Sequence, residues 1–143
     1  MTTKEYLSQV RKLNKMINGR LQDLEDMRQL AESVSSKQPV ADLVISSGRK
    51  DRLESIVVKI IDAERDIDEM VCRYIDKRAL IVGQIEELDV EEFSVLRLRF
   101  IDGWDADKIS SELKYSERQT YRLCRKAMNS FEAKYGDTYK VVS

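Results

Sequence analysis

Two long stretches of this chain repeat apolar residues every three or four positions, and few helix-breaking residues interrupt them. The first stretch carries apolar side chains at Val10, Leu13, Ile17, Leu24, Met27, Ala31 and Val34. The second starts near Lys50 and extends to Leu88, with apolar side chains at Ile56, Ile60, Ala63, Ile67, Met70, Tyr74, Ile81 and Ile85. This spacing is the helical period. Because the 143 residues include one proline and five glycines, long helices are favoured over a many-stranded sheet, and an all-α fold is predicted.

A polar linker over residues 35–49 separates the two predicted helices. Pro39 ends any helix that reaches it, and Gly48 permits a tight bend. We therefore predict that the two helices fold back on each other as an antiparallel hairpin or coiled coil. The conformation of the linker itself is left open.

The second helix has a wider apolar face than a two-stranded seam requires. Outside its main stripe it carries Leu53, Val57, Ile61, Val71 and Ile75. A wide apolar face indicates more than one neighbouring helix. One neighbour would be the first helix of the same chain and the other its copy in a second chain, which predicts a homodimer. The alternative is a monomeric hairpin that buries the whole face internally.

The C-terminal part of the chain predicts two short helices joined by a tight turn. An apolar helical segment from Val90 to Ile101 is interrupted at Gly103, which can adopt positive φ. Asp105 can cap a short helix that runs to about Lys114, and Ser116 can cap the next one, with Gln119 placed for a capping box. This is a helix-turn-helix pattern, whose second helix normally enters the major groove of DNA. We predict a helical oligomerisation region over 1–88 and a DNA-binding domain over 89–143.

The same segment resembles a known family of transcription factors. The runs concerned are Glu91-Glu-Phe-Ser-Val-Leu-Arg-Leu-Arg-Phe, Asp107-Lys-Ile-Ser-Ser-Glu-Leu, Tyr115-Ser-Glu-Arg-Gln-Thr-Tyr-Arg-Leu and Arg125-Lys-Ala. They are similar to region 4 of bacterial sigma factors, and more closely to small phage late-transcription regulators of the RinA and ArpU type. The resemblance implies a phage or prophage origin, promoter-proximal DNA binding beside RNA polymerase, and a reading helix from Glu117 to Lys126.

The chain departs from that family pattern in two places. Lys114 stands in the turn where many such motifs carry glycine. Upstream of the segment, nothing resembles the sigma region that melts promoter DNA, so a complete sigma factor is not expected.

Basic charge is concentrated in the predicted reading helix. The whole chain carries a net charge of −1, but the segment from Lys114 to Lys126 holds five basic residues and one acidic residue, a net charge of +4. Such a local basic face is what a nucleic-acid binder needs. The predicted DNA-binding residues are Lys114, Glu117, Arg118, Gln119, Tyr121, Arg122, Arg125 and Lys126.

Position along the helix suggests a role for each of these residues. Arg118, Gln119 and Arg122 lie in the first two turns, where side chains of a recognition helix reach base edges. Arginine suits guanine, and glutamine suits adenine. Residues farther along or in the turn, Lys114, Arg125 and Lys126, are expected to contact phosphates. Tyr121 would either contact DNA or pack at the edge of the motif.

Other function classes lack the residues they need. The chain has no histidine, and Cys72 and Cys124 have no paired spacing, which excludes a Cys/His zinc site. No phosphate-binding loop or nucleophile motif is present. The acidic residues between Asp62 and Glu69 are expected to form solvated faces or ion pairs, such as Asp62 with Arg65. We predict no catalytic residue, cofactor or metal.

The N-terminal sequence and the hydropathy of the chain predict a cytoplasmic location. The N-terminus lacks a basic-then-apolar signal sequence, and no apolar run approaches the roughly 18 residues that span a bilayer. No membrane partner is therefore expected.

The preferred function is a sequence-specific transcription regulator that binds double-stranded DNA at promoters, with RNA polymerase as a further partner. One alternative is a small terminase subunit, which also joins a helix-turn-helix to oligomerising helices but marks DNA for packaging. The other is a protein-interaction module that docks on RNA polymerase through its basic helix. A large ring in solution would favour packaging, and polymerase binding without affinity for any duplex would favour docking.

Overall fold

Five helices make up the described part of the protein. The computed structural model describes residues 1–36 and 47–140. The helices are α1 (Thr3–Ser36), α2 (Ser47–Ile85), α3 (Val90–Leu96), α4 (Ala106–Leu113) and α5 (Glu117–Tyr139), and α3 continues into a π-helical turn (Arg97–Ile101). No strand occurs within these described ranges. The predicted all-α fold is confirmed.

The predicted linker is helical where it can be described. Pro39 lies outside the described residues, but Gly48, which we placed in a bend, belongs to the first turn of α2. That prediction was wrong. A single glycine lowers helix propensity by only about 1 kcal/mol, which the strong helix formers that follow it offset.

The chain divides into two compact units. The hairpin unit consists of residues 15–72, and the helix-turn-helix unit consists of residues 1–14 and the residues from Arg73 onward. Within the hairpin unit, Arg20 pairs with Asp66 at 4.0 Å, and Arg28 pairs with Glu64 at 3.0 Å. The arginine with the higher residue number in α1 pairs with the acidic residue that has the lower number in α2. The two helices are therefore antiparallel there, as predicted. Side chains from both predicted stripes are buried between them: Ile17, Leu24, Ile67 and Met70.

The helix-turn-helix unit has one apolar core to which all five helices contribute. One fully buried side chain from each helix illustrates this: Leu7, Ile81, Leu96, Ile109 and Phe131. The predicted core of this region is confirmed, because each of its members is buried or packed against the same cluster: Leu96, Leu98, Phe100, Trp104, Ile109, Leu113, Leu123 and Phe131. Close packing of this kind supplies most of the stability of short helices, which are marginal on their own.

From the sequence, Trp104 is expected to be the most consequential core residue of the helix-turn-helix, but the structure places it less centrally. It is only partly buried and packs against the edge of the core. The ammonium of Lys108 lies 4.1 Å from the centre of the indole ring, a cation–π contact that keeps part of the ring near solvent. The expectation that Trp104 is the most consequential core residue is therefore too strong.

The C-terminal end of α5 packs against the beginning of α1 through contacts that we call the Tyr6–Tyr139 clasp. α5 continues well past Lys126, where the expected reading helix ends, and reaches Tyr139. The ring of Tyr139 stacks on Tyr6 with 4.4 Å between ring centroids, and its hydroxyl is hydrogen-bonded to Thr3 at 2.8 Å. Tyr6 in turn donates to Gln84 Oε1 in α2 at 2.7 Å. The clasp fixes the C-terminal end of α5 against both long helices.

Candidate nucleic-acid interface

The turn before α4 is defined by three residues. Gly103 has φ +74°, as predicted for this position, and Asp105 caps α4 by accepting a hydrogen bond from the Lys108 amide at 2.8 Å. The Arg11 guanidinium lies against Gly103 so closely that a Cβ there would overlap it. The positive φ favours glycine at this position, whereas the flexible Arg11 side chain can move away from an added Cβ.

α5 begins with the predicted capping box. Ser116 Oγ accepts a hydrogen bond from the Gln119 amide at 3.1 Å, and Gln119 Oε1 accepts one from the Ser116 amide at 3.0 Å. Two amides that would otherwise lack partners are satisfied in this way. The carboxamide oxygen of Gln119 is thereby engaged, and its NH2 group is the part left to donate to a ligand.

Lys114 takes the conformation that glycine usually supplies in this turn. Its backbone lies in the left-handed region, with φ 59° and ψ 39°. The left-handed conformation costs a non-glycine residue about 1–2 kcal/mol. It lets the Tyr115 amide return to the Ser110 carbonyl at 3.0 Å. The departure from the sigma-like pattern is therefore one of residue type, not of turn geometry.

A buried pair of hydroxyl groups joins α4 to α5. Ser110 Oγ and Thr120 Oγ1 lie 2.8 Å apart, and both side chains are buried. Each hydroxyl also lies within hydrogen-bond distance of a carbonyl in its own helix, Ser110 of Ala106 O at 2.7 Å and Thr120 of Ser116 O at 3.0 Å. The sequence placed Thr120 on the buried stripe but did not identify its partner. This contact fixes the two helices relative to each other.

All eight predicted DNA-binding residues are exposed: Lys114, Glu117, Arg118, Gln119, Tyr121, Arg122, Arg125 and Lys126. The opposite side of α5 is buried, as Thr120, Ala127 and Phe131 show. Among the described residues, none of the basic side chains of this face forms an ion pair. α5 therefore presents a basic surface to solvent, which we call the α5 basic face.

A cleft beside the α5 basic face contains an arginine that sequence reasoning missed. The cleft has a volume of about 300 Å³, and its lining includes Tyr121, Arg125 and Asn129 of α5, Arg99 of the π-helical turn, and Thr3. Arg99 is only half-exposed. The sequence shows Arg99 as one cation within an apolar run, and no local signal places it beside α5.

The charges around the cleft favour an anion. Burial raises the pKa of the Cys124 thiol, even though Arg99 lies close enough to lower it, so the floor of the cleft is neutral. The hydrogen bond from Lys140 holds the pKa of the Glu132 carboxyl below its usual value. Glu132, which also lines the cleft, is thus ionised but paired with Lys140, and neither Arg99 nor Arg125 forms an ion pair with a described residue.

Two carboxyl groups meet near the start of both motif helices. A hydrogen bond with Asp107, and the charge of that residue, raise the pKa of the Glu117 carboxyl. Both side chains are exposed. This acidic pair adjoins the α5 basic face, and it would weaken binding to phosphates while both groups are ionised.

The acidic stretch of α2 forms different ion pairs from the one we predicted. Glu64 and Asp66 pair with arginines of α1, whereas Asp62 does not pair with Arg65.

Within residues 1–36 and 47–140, no three metal-binding side chains cluster. As small apolar residues, both cysteines are expected from the sequence to be partly buried; Cys124 is buried, but Cys72 is exposed. In the same ranges, no helix has both the length and the apolar character to cross a membrane.

The fold and this surface define a small, all-helical protein with a hairpin unit and a helix-turn-helix unit. The chain belongs to the DUF1492 family, described as proteins of unknown function, whose profile matches residues 32–132. The matched segment covers most of both units and ends one residue after Phe131. Neither a curated protein nor a solved structure matched the chain.

Proposed function

We propose that this protein is a sequence-specific transcription regulator of phage or prophage origin that binds double-stranded DNA through the α5 basic face. The observation that carries the proposal is the exposure of the basic side chains on a helix anchored at both ends. Its start is fixed by the capping box and the Ser110–Thr120 contact, and its end by the Tyr6–Tyr139 clasp. A rigidly held helix can present side chains to base edges at a defined angle.

Within this proposal, Arg118 and Arg122 read bases from the first two turns of α5. Gln119 contributes its NH2 group, whose donors the capping box does not use, whereas its Oε1 already accepts the Ser116 amide and has one lone pair left for a base. Arg125, Lys126 and Lys114 contact phosphates. The cleft adds a further position for a phosphate, between Arg99 and Arg125.

The regulator is proposed to act as a homodimer at promoters, with RNA polymerase as a further partner. Two linked reading helices would bind adjacent half-sites with a gain in effective concentration. The polymerase contact rests on the resemblance to sigma region 4 and to the phage regulators.

Selection of bound duplexes from a random pool, at a low and a high salt concentration, tests the proposal. A consensus sequence that persists at high salt is expected, since salt weakens phosphate contacts more than base contacts. Loss of the consensus at high salt would indicate a non-specific polyanion binder, and no binding at either salt concentration would refute DNA binding altogether.

The Arg122→Ala variant tests the reading role directly. If Arg122 contacts a base, its removal should cost about 1–3 kcal/mol on the selected site and relax one position of the consensus. Arg52→Ala removes an exposed arginine from α2 and serves as the matched control. Equal affinities of Arg122→Ala and the parent for the selected site would remove this assignment.

A further inference from the structure

α2 carries a second apolar patch, on the side away from its buried stripe. In the hairpin unit, Val57, Val58 and Ile61 are 42%, 56% and 51% exposed. Val58 and Ile61 lie nearly opposite Ile67 and Met70, which face α1. The exposed pair belongs to a second series with steps of three and four, at positions 51, 54, 58, 61, 65 and 68. The other four members of this series are charged, and we call the exposed apolar pair, Val58 and Ile61, the second seam of α2.

Opposite charges flank this second seam. Glu54 precedes Val58 by four positions, and Arg65 follows Ile61 by four. Both side chains are exposed, and neither forms an ion pair with any described residue. Along α2, the order is one acidic, two apolar and one basic residue. When a second copy of α2 lies antiparallel to the first, its basic residue is opposite the acidic residue of the first, so the pattern is complementary to itself.

We propose that a second copy of this chain covers the seam, with the two α2 helices antiparallel across a twofold axis between residues 59 and 60. Val58 then packs against Ile61 of the second copy, and Glu54 lies opposite Arg65 of the second copy. Twofold symmetry repeats both contacts. A parallel pair would instead place Glu54 against Glu54 and Arg65 against Arg65, and like charges directly opposite each other are unfavourable.

About one helical turn farther from the twofold axis than Glu54 and Arg65, the antiparallel register places Asp51 opposite Asp68 of the second copy. Both aspartates are exposed, so water and salt screen this repulsion. It limits the affinity of the dimer but does not reverse the orientation, because the parallel pair has like charges next to its apolar centre. The proposal specifies the interface of the homodimer suggested above, and it is measured on the protein alone, so its failure would leave DNA binding by α5 untouched.

Charge reversal tests both the partner and the orientation. Sedimentation equilibrium of the full chain should show a monomer–dimer equilibrium. In a dimer of either single variant, Glu54→Arg or Arg65→Glu, positions 54 and 65 of the two copies carry like charges. Because two attractive pairs become repulsive, the dissociation constant of the dimer should rise about tenfold or more. An equimolar mixture of the two variants should form a heterodimer, since each then supplies the charge that the other lacks.

Two controls separate this interface from loss of folding and from net charge. Lys59→Glu changes the net charge as much as Arg65→Glu does, but at an exposed position outside the second seam, and should leave the dissociation constant unchanged. Far-UV circular dichroism of each variant should match that of the parent. A parent that remains monomeric at the highest attainable concentration would overturn the proposal, and so would a mixture of the two variants that fails to form the heterodimer.

Discussion

The hydroxyl pair between α4 and α5 makes a quantitative prediction about how α5 is held. Thr120→Val keeps the shape of the side chain and removes its hydroxyl, and Ser110→Ala removes the other partner of the 2.8 Å contact. The two hydroxyls have two protons for three contacts, so at most one of them bonds a carbonyl of its own helix while the other donates across the helix interface. That intrahelical bond should contribute little, because a carbonyl such as Ser116 O already accepts a backbone amide, at 2.9 Å. The bond between the helices should therefore carry most of the stabilisation.

A buried neutral hydrogen bond contributes about 0.5–1.5 kcal/mol net. Each single variant loses the same interhelical bond, so each should lower the free energy of unfolding by about that amount. The double variant should lose little more than one single variant does, giving a coupling energy of about 0.5–1.5 kcal/mol. Urea denaturation of all four proteins, followed by circular dichroism, measures this coupling.

Ser94 provides a matched control. Its hydroxyl donates to Val90 O at 2.8 Å, the same bond within a helix, at an exposed site. Ser94→Ala should therefore change the free energy of unfolding by less than about 0.5 kcal/mol. If the effects of Ser110→Ala and Thr120→Val simply add, the bond between the helices does not stabilise the motif and the reasoning is wrong.

Two further predictions concern the turn and the acidic pair. Lys114→Gly should be about 0.5–1 kcal/mol more stable than the parent, because relief of the left-handed backbone exceeds the entropy that glycine loses. Lys114→Ala keeps that backbone cost, and an alanine variant as stable as the glycine variant in urea denaturation would contradict the assignment. The raised pKa of Glu117 means that the folded state binds a proton more readily than the unfolded state, whose carboxyl has its ordinary pKa of 4.5. The repulsion from Asp107 is therefore relieved as pH falls through the raised pKa and is fully present above it. Glu117→Gln should gain stability relative to the parent as pH rises from about 4 to 7, and a constant difference between their melting temperatures over that range would exclude the coupling.

The sequence predicted the features that depend on near neighbours along the chain. The capping box of Ser116 and Gln119 and the Asp105 cap join residues three positions apart, and the buried stripes follow from the helical period. Positive φ at Gly103 was predicted for the same reason, because backbone freedom is a property of the residue itself. These features together locate the α5 basic face.

Contacts between residues far apart in the chain were decided by the tertiary structure alone. Tyr6 on Tyr139 and Ser110 on Thr120 are pairs that no local period specifies, since many buried positions have equivalent patterns. The place of Arg99 beside α5 depends in the same way on how separate helices pack. The spacing of apolar residues in the sequence predicts which side of a helix is buried. The partner of each buried side chain follows instead from the packing of the whole core.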